Sequence, residues 1–139
     1  MMYLTRRERF SAAHRLFRPE WTDEQNTAVF GGCANPNWHG HNYELFVTVK
    51  GSIDPETGFV INLKTLSKLI KNEVIDKLDH ANINLDVDFM AGKLSSTEVL
   101  TKAIWEVLEP KINAADAQLH CIKIIETENN TVSYYGEHL

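Results

Sequence analysis

Residues Asn42 to Gly51 read Asn-Tyr-Glu-Leu-Phe-Val-Thr-Val-Lys-Gly, with Tyr43, Leu45, Val47 and Val49 at every second position. A period of two sustained by β-branched and aromatic residues fits a strand with one buried face. A slip of one residue would turn that whole set toward water, so the pattern fixes the register as well as the element. Such a strand needs a cover. Leu63, Leu66, Leu69, Ile70, Val74 and Leu78 recur at three- and four-residue spacing behind Asn62, a residue suited to capping, so Leu63 to Leu78 is expected as an amphipathic helix with a lysine-rich outer face.

The other elements follow from the same two periods. Tyr3 to His14 reads as a strand, with Leu4, Phe10, Ala12 and His14 on one parity. Arg15 to Gly32 carries Pro19 and Gly31-Gly32 and is expected as a long connection with one helical turn. Asp54 to Gly58 has the Pro and Gly of a tight turn ahead of the short apolar run Phe59 to Ile61. A second helix is expected from Ser95, spaced with Glu98 as a capping box, to Pro110, which should end it. Leu119 to Glu126 and Thr131 to Tyr135 read as a closing hairpin around Thr127-Glu128-Asn129-Asn130. The order ββααββ predicts one α+β domain over 1–139, a four-stranded antiparallel sheet with two helices on one face. Four strands leave open edges and an uncovered face, for which assembly into a homo-oligomer is the natural remedy.

Composition removes several function classes. A net charge of −5, from 14 basic and 19 acidic residues, provides no general field for nucleic acid or anionic lipid. No apolar run approaches the ~20 residues that span a bilayer, and Met1 to Phe10 lacks the continuous apolar stretch of a secretory signal. A cytoplasmic chain is expected, in which the two cysteines, Cys33 and Cys121, are free thiols.

The chemistry gathers around Trp38-His39-Gly40-His41-Asn42. Two imidazoles at i and i+2 on a strand project from the same face, and an antiparallel neighbour ending at His14 can add a third. Three histidines with an open fourth position are the donor set of a catalytic zinc site; a lone H-x-H also arises by chance in a chain with six histidines. Cys33, six residues before His39, is a ligand or a base if its sulfur lies near that metal, and otherwise an inert thiol. Asp79 beside His80 is the pairing that orients an imidazole, or a surface pair. Glu126 closes an apolar strand and is expected to be exposed at the hairpin end, Thr97 and Glu98 are explained by capping, and Cys121 is structural.

Taken together, Phe10 to Leu16 (FSAAHRL), Cys33 to Tyr43 (CANPNWHGHNY), Ile53 to Gly58 (IDPETG), Leu78 to His80 (LDH), Ser96 to Glu98 (STE) and Glu126 to Asn130 (ETENN) resemble the 6-pyruvoyl-tetrahydropterin synthase family over nearly the whole chain and in order. The resemblance implies a T-fold subunit that assembles into trimers with sheets closed into a barrel, commonly stacked as hexamers. It implies action on 7,8-dihydroneopterin triphosphate, with zinc held by His14, His39 and His41, Cys33 as proton acceptor, and Asp79 and His80 as proton relay. Glu126 then anchors the pterin ring and is often counted with the relay, and Thr97 and Glu98 fall at pterin-pocket positions. Arg15, Arg18 and the Lys64 to Lys77 helix face are candidates for the triphosphate. Related enzymes make 6-carboxy-tetrahydropterin for queuosine, using the same substrate and metal and releasing acetaldehyde as well. The five residues between Cys33 and His39 resemble the pyruvoyl type. Trp38 stands where the family commonly has a small residue, usually Gly. Two non-catalytic readings remain at this point, a pterin- or metal-binding module and an oligomeric scaffold.

Overall fold

β1 (Met2–His14) and β2 (His39–Gly51) pair antiparallel over their whole lengths, from Met2 opposite Gly51 to His14 opposite His39. This is a computed structural model, and it describes residues 1–115 and 117–137. β4 (Gln118–Thr127) pairs antiparallel with β2, and β5 (Asn130–Tyr134) pairs with β4 across the two-residue turn Glu128-Asn129.

The sheet is not the four-stranded antiparallel one expected. A fifth, two-residue strand, β3 (Ala81–Asn82), lies parallel to β1, giving the order β3-β1-β2-β4-β5 and a mixed sheet. So short a strand has no sequence period, and it is made by the edge it meets. The Ser11 amide donates to Asp79 Oδ1, the Ser11 carbonyl accepts from the His80 amide, and the Ala13 carbonyl accepts from Ile83. The segment after the helix thereby occupies backbone groups that the end of β1 would otherwise expose.

Three α-helical segments are present among the described residues. α1 (Asp23–Phe30) spans two turns where one was expected; Thr22 and Gln25 form a reciprocal capping box that starts it. α2 runs over 63–78, capped by Asn62, as an α-helix Leu63–Ile70, a π-helical turn Lys71–Ile75 and a closing turn Asp76–Leu78. The wider turn lets Val74 and Ile75 both face inward beside Leu66, Ile70 and Leu78. α3 (Thr97–Asn113) is capped by Ser96, not by Ser95, and no box with Glu98 forms. It continues past Pro110 for three residues. Pro110 and Glu106, whose carbonyl loses its partner to the proline ring, both lie on the exposed side, where water can replace the missing donor.

α2 and α3 cover one face, and the core lies between them and Leu45, Val47, Val49, Ile122 and Ile124. The opposite face stays open and largely polar, with a Thr5–Thr48 hydrogen bond, an Arg7–Glu44 ion pair, Lys123 over Phe46, and Tyr3 against His120. No helix among the described residues is long and apolar enough to cross a membrane.

Candidate metal centre

The end of β1 and the start of β2 bring three imidazoles to the covered face. His14 stands directly opposite His39, and His41 is the diagonal neighbour, opposite Ala12. Their ring centroids are 4.5 Å (His14–His39), 5.2 Å (His14–His41) and 5.1 Å (His39–His41) apart. One nitrogen from each falls within 4.8 Å of the other two. Tetrahedral coordination at ~2.05 Å would draw the nitrogens to about 3.3 Å from one another.

His14 is fully buried, and its Nδ1–H donates to the Ser95 carbonyl at 2.7 Å. That bond fixes the tautomer and leaves Nε2 as a lone-pair nitrogen; Nε2 is buried and without any partner. Burial pulls the His14 pKa below its ordinary value, opposed by the Ser95 bond and supported by repulsion from His39 and His41. Burial and His41 lower His39 as well. Three clustered imidazoles, two of them held toward the neutral form and one with an orphaned buried nitrogen, are the donor set a divalent cation requires, so the residues fit a metal.

Glu126 is half-buried rather than exposed. It stands one step beyond the Glu44–Ile125 pair, so it neighbours Tyr43 on the same face, and it accepts a hydrogen bond from the hydroxyl of Thr97 in the first turn of α3. Thr97, Glu98 and Glu126, with Asn129 to Val132, line a groove of about 330 Å³. The cap had accounted for Thr97, yet its side chain serves the carboxylate.

Cys33 lies on a 3₁₀ turn (Gly31–Ala34), exposed, with its carbonyl accepting from Leu16, two residues past His14. Its sulfur is not part of the three-donor group. Asp79 and His80 are paired, Oδ2 to Nδ1 at 3.1 Å, and the His80 side chain is 85% exposed. The Ser11 amide, ahead of His80, lowers the Asp79 pKa. His80 takes the left-handed position that ends α2 (φ 62°) and lines a groove with Ser11, Ala13, Gly40 and Asn42, of the open-face parity, and with Ala12, His41 and Ala81. One chain therefore unites His14, His39, His41, Glu126 and Thr97 on the covered face and leaves the Asp79–His80 pair outside that cluster.

Trp38 has φ 66°, the left-handed region that favours glycine. Of the candidate cations, Arg15 donates to the Ala34 carbonyl and stacks on Phe17, and Arg18 pairs with Glu20. Lys64, Lys68 and Lys71 line a separate groove with Arg6. Two residues of the centre escaped the reading of the sequence. Ser95 looked like a cap, and Tyr43 looked like one more apolar strand residue.

A family model described as 6-pyruvoyl tetrahydropterin synthase matches residues 3–137. The 6-pyruvoyl tetrahydrobiopterin synthase of Homo sapiens is 44% identical over 134 residues, covering 96% of this chain and 91% of the human one. The solved structure of Caenorhabditis elegans 6-pyruvoyl tetrahydropterin synthase superposes with a TM-score of 0.89 at 35% identity, covering 98% of this chain and 96% of that one. A 6-carboxy-5,6,7,8-tetrahydropterin synthase of Bacillus subtilis is more distant, 28% identical over 104 residues, covering 73% of this chain and 67% of the relative.

Proposed function

The chain belongs to the 6-pyruvoyl tetrahydropterin synthase family, and on that premise we propose that it is a zinc-dependent lyase that converts 7,8-dihydroneopterin triphosphate to 6-pyruvoyl-tetrahydropterin with loss of triphosphate. The observation that carries the reading is the orphaned, buried Nε2 of His14, facing two more imidazoles beside the Glu126 groove. A bound zinc ion would supply positive charge that polarises a substrate oxygen and acidifies the adjacent C–H.

The chain's own residues do the rest. Glu126, held by the Thr97 hydroxyl, accepts two parallel hydrogen bonds from the pterin 2-amino group and N3–H. His14, oriented by Ser95, and His39 and His41 hold the metal end of the site, so the two anchors fix the substrate's direction. Cys33, as thiolate, takes the carbon-bound proton, and the Asp79–His80 pair returns protons as triphosphate leaves. Because that pair lies outside the imidazole cluster of its own chain, the relay is assigned to a neighbouring copy. Trimers with sheets joined edge to edge into a barrel, stacked as hexamers, would supply one. The uncovered Met2 to Phe10 edge of β1 and the short β5 suit such joining. A cytoplasmic location suits the free thiols Cys33 and Cys121.

The test is incubation of the zinc-loaded protein with 7,8-dihydroneopterin triphosphate. Release of triphosphate with a 6-pyruvoyl product supports the proposal. Acetaldehyde would instead assign the 6-carboxy reaction, for which the Bacillus subtilis relative speaks. No turnover at all, with pterin still bound, would make the chain a binding module.

A further inference from the structure

Among the described residues, two buried side-chain polar atoms have no hydrogen-bond partner, His14 Nε2 and the Tyr43 hydroxyl oxygen. They belong to one cluster. The Tyr43 ring is 6.2 Å from that of His14 and 5.5 Å from that of His41, and it stacks on Phe10 at 4.8 Å. A metal explains the nitrogen and does nothing for the phenol.

Tyr43 is only 1% exposed. Its stacking on Phe10 and its edge contacts with the imidazoles require the ring alone, and phenylalanine would make them all. A buried hydroxyl without a partner is a net loss to the fold, so its presence calls for a use outside the fold's own hydrogen bonding. Its position narrows that use. In strand order it has Phe10 on one side and Glu126 on the other, with His41 two residues along β2. It therefore adjoins both the carboxylate and the imidazoles, the two ends between which a substrate would be held. Local rules broken without compensation inside the fold are expected at functional sites.

We infer that the Tyr43 hydroxyl donates a hydrogen bond to an oxygen held beside the three imidazoles, either a hydroxyl of the substrate side chain or a water molecule that accompanies the metal. The inference rests on the proposed pterin reaction for the first source and on the metal alone for the second. A donor aimed at an oxygen that gains negative charge is worth more in the transition state than in the ground state, so its loss should fall on kcat more than on KM.

Tyr43→Phe, which deletes one oxygen and keeps the ring, tests this with three readouts. The metal-free variant should unfold no lower than wild type, and up to about 5 °C higher, because an unsatisfied group has gone. Zinc affinity and the affinity for 7,8-dihydroneopterin, which has the side-chain hydroxyls without the leaving group, separate the two sources. A zinc Kd raised about tenfold or more identifies a metal-associated water. An unchanged zinc Kd with weaker pterin binding, or with kcat lowered about tenfold at constant KM, identifies the substrate oxygen. Two results overturn the inference: a metal-free variant that melts below wild type, which means the hydroxyl has a partner in the core, or zinc Kd, pterin Kd and kcat all within twofold of wild type. If the wild-type chain has no activity on the triphosphate, the lyase reading fails, while the melting and zinc measurements still decide the role of Tyr43.

Discussion

His41→Ala separates a metal centre from three histidines that merely pack together. His41 is half-buried and meets His14, His39 and Tyr43 edge-on, and its ring has no hydrogen bond among the described residues. Its removal should therefore cost the metal-free fold about 1 kcal/mol or less. For the metal-loaded protein the same change deletes one of three ligands. At a zinc concentration 100 times Kd the wild type gains about 2.7 kcal/mol, which at roughly 4 °C per kcal/mol raises its unfolding midpoint by about 10 °C. A site weakened a hundredfold is only half-saturated at the same concentration, gains about 0.4 kcal/mol, and shifts by about 2 °C. Chelator-stripped wild type and variant should be melted at pH 7.5 over a zinc titration followed by circular dichroism, with magnesium as the control, because an imidazole site should ignore it. Equal zinc shifts in the two proteins would refute the three-imidazole site. A metal-free variant destabilised by more than about 2 kcal/mol would show that His41 is structural.

Three further outcomes follow from the described contacts. Glu126→Gln keeps the size of the side chain and its bond to Thr97 but loses the charge, so pterin affinity should fall about 10- to 100-fold with zinc affinity within a factor of about 3; equal pterin affinity by calorimetry would remove Glu126 as the anchor. Ile104→Ala, at a position with no exposure between α3 and the sheet, should cost about 2–5 kcal/mol, read as a lower urea midpoint with an unchanged slope. The Asp79 carboxyl is held below its ordinary 3.8, chiefly by the Ser11 amide and then by His80. A depressed carboxylate pKa contributes stability that is whole above the unfolded value and is lost as pH falls through the lower folded one. The corner joining α2, β3 and β1 should thus stay closed at pH 5 and open only below about 3.8. Exchange of the Ser11 amide measures this, and Asp79→Ala should abolish its protection at every pH.

What could be read from the chain alone depended on how far each signal extended along it. The faces of β1 and β2, and hence the meeting of His14, His39 and His41, follow from period-two parity and antiparallel pairing, both of which are repetitive and local. β3 has only two residues and exists because the edge of β1 has groups to satisfy. The helix start moved from Ser95 to Ser96 because either serine can cap, and the choice was made by His14, 81 residues away, which claims the Ser95 carbonyl. Pro110 failed to stop α3 because it falls on the solvent side of the last turns. Glu126 was misjudged as wet because its partner, Thr97, belongs to another element. In each case a contact distant in sequence overrode a sound local rule.

Ser95 joins three strangers. Its hydroxyl holds the Arg15 carbonyl, its own carbonyl holds His14, and the next residue begins α3, while Asn84 binds the same Arg15 from the far end of the intervening loop. Loop length there is consequently a parameter of the chemistry. Adding or deleting a residue between Asn84 and Ser96 would swing the imidazole off its axis even if every ligand survived. The turn Asp54 to Gly58, which has no such tether to the centre among the described residues, should tolerate a change of length.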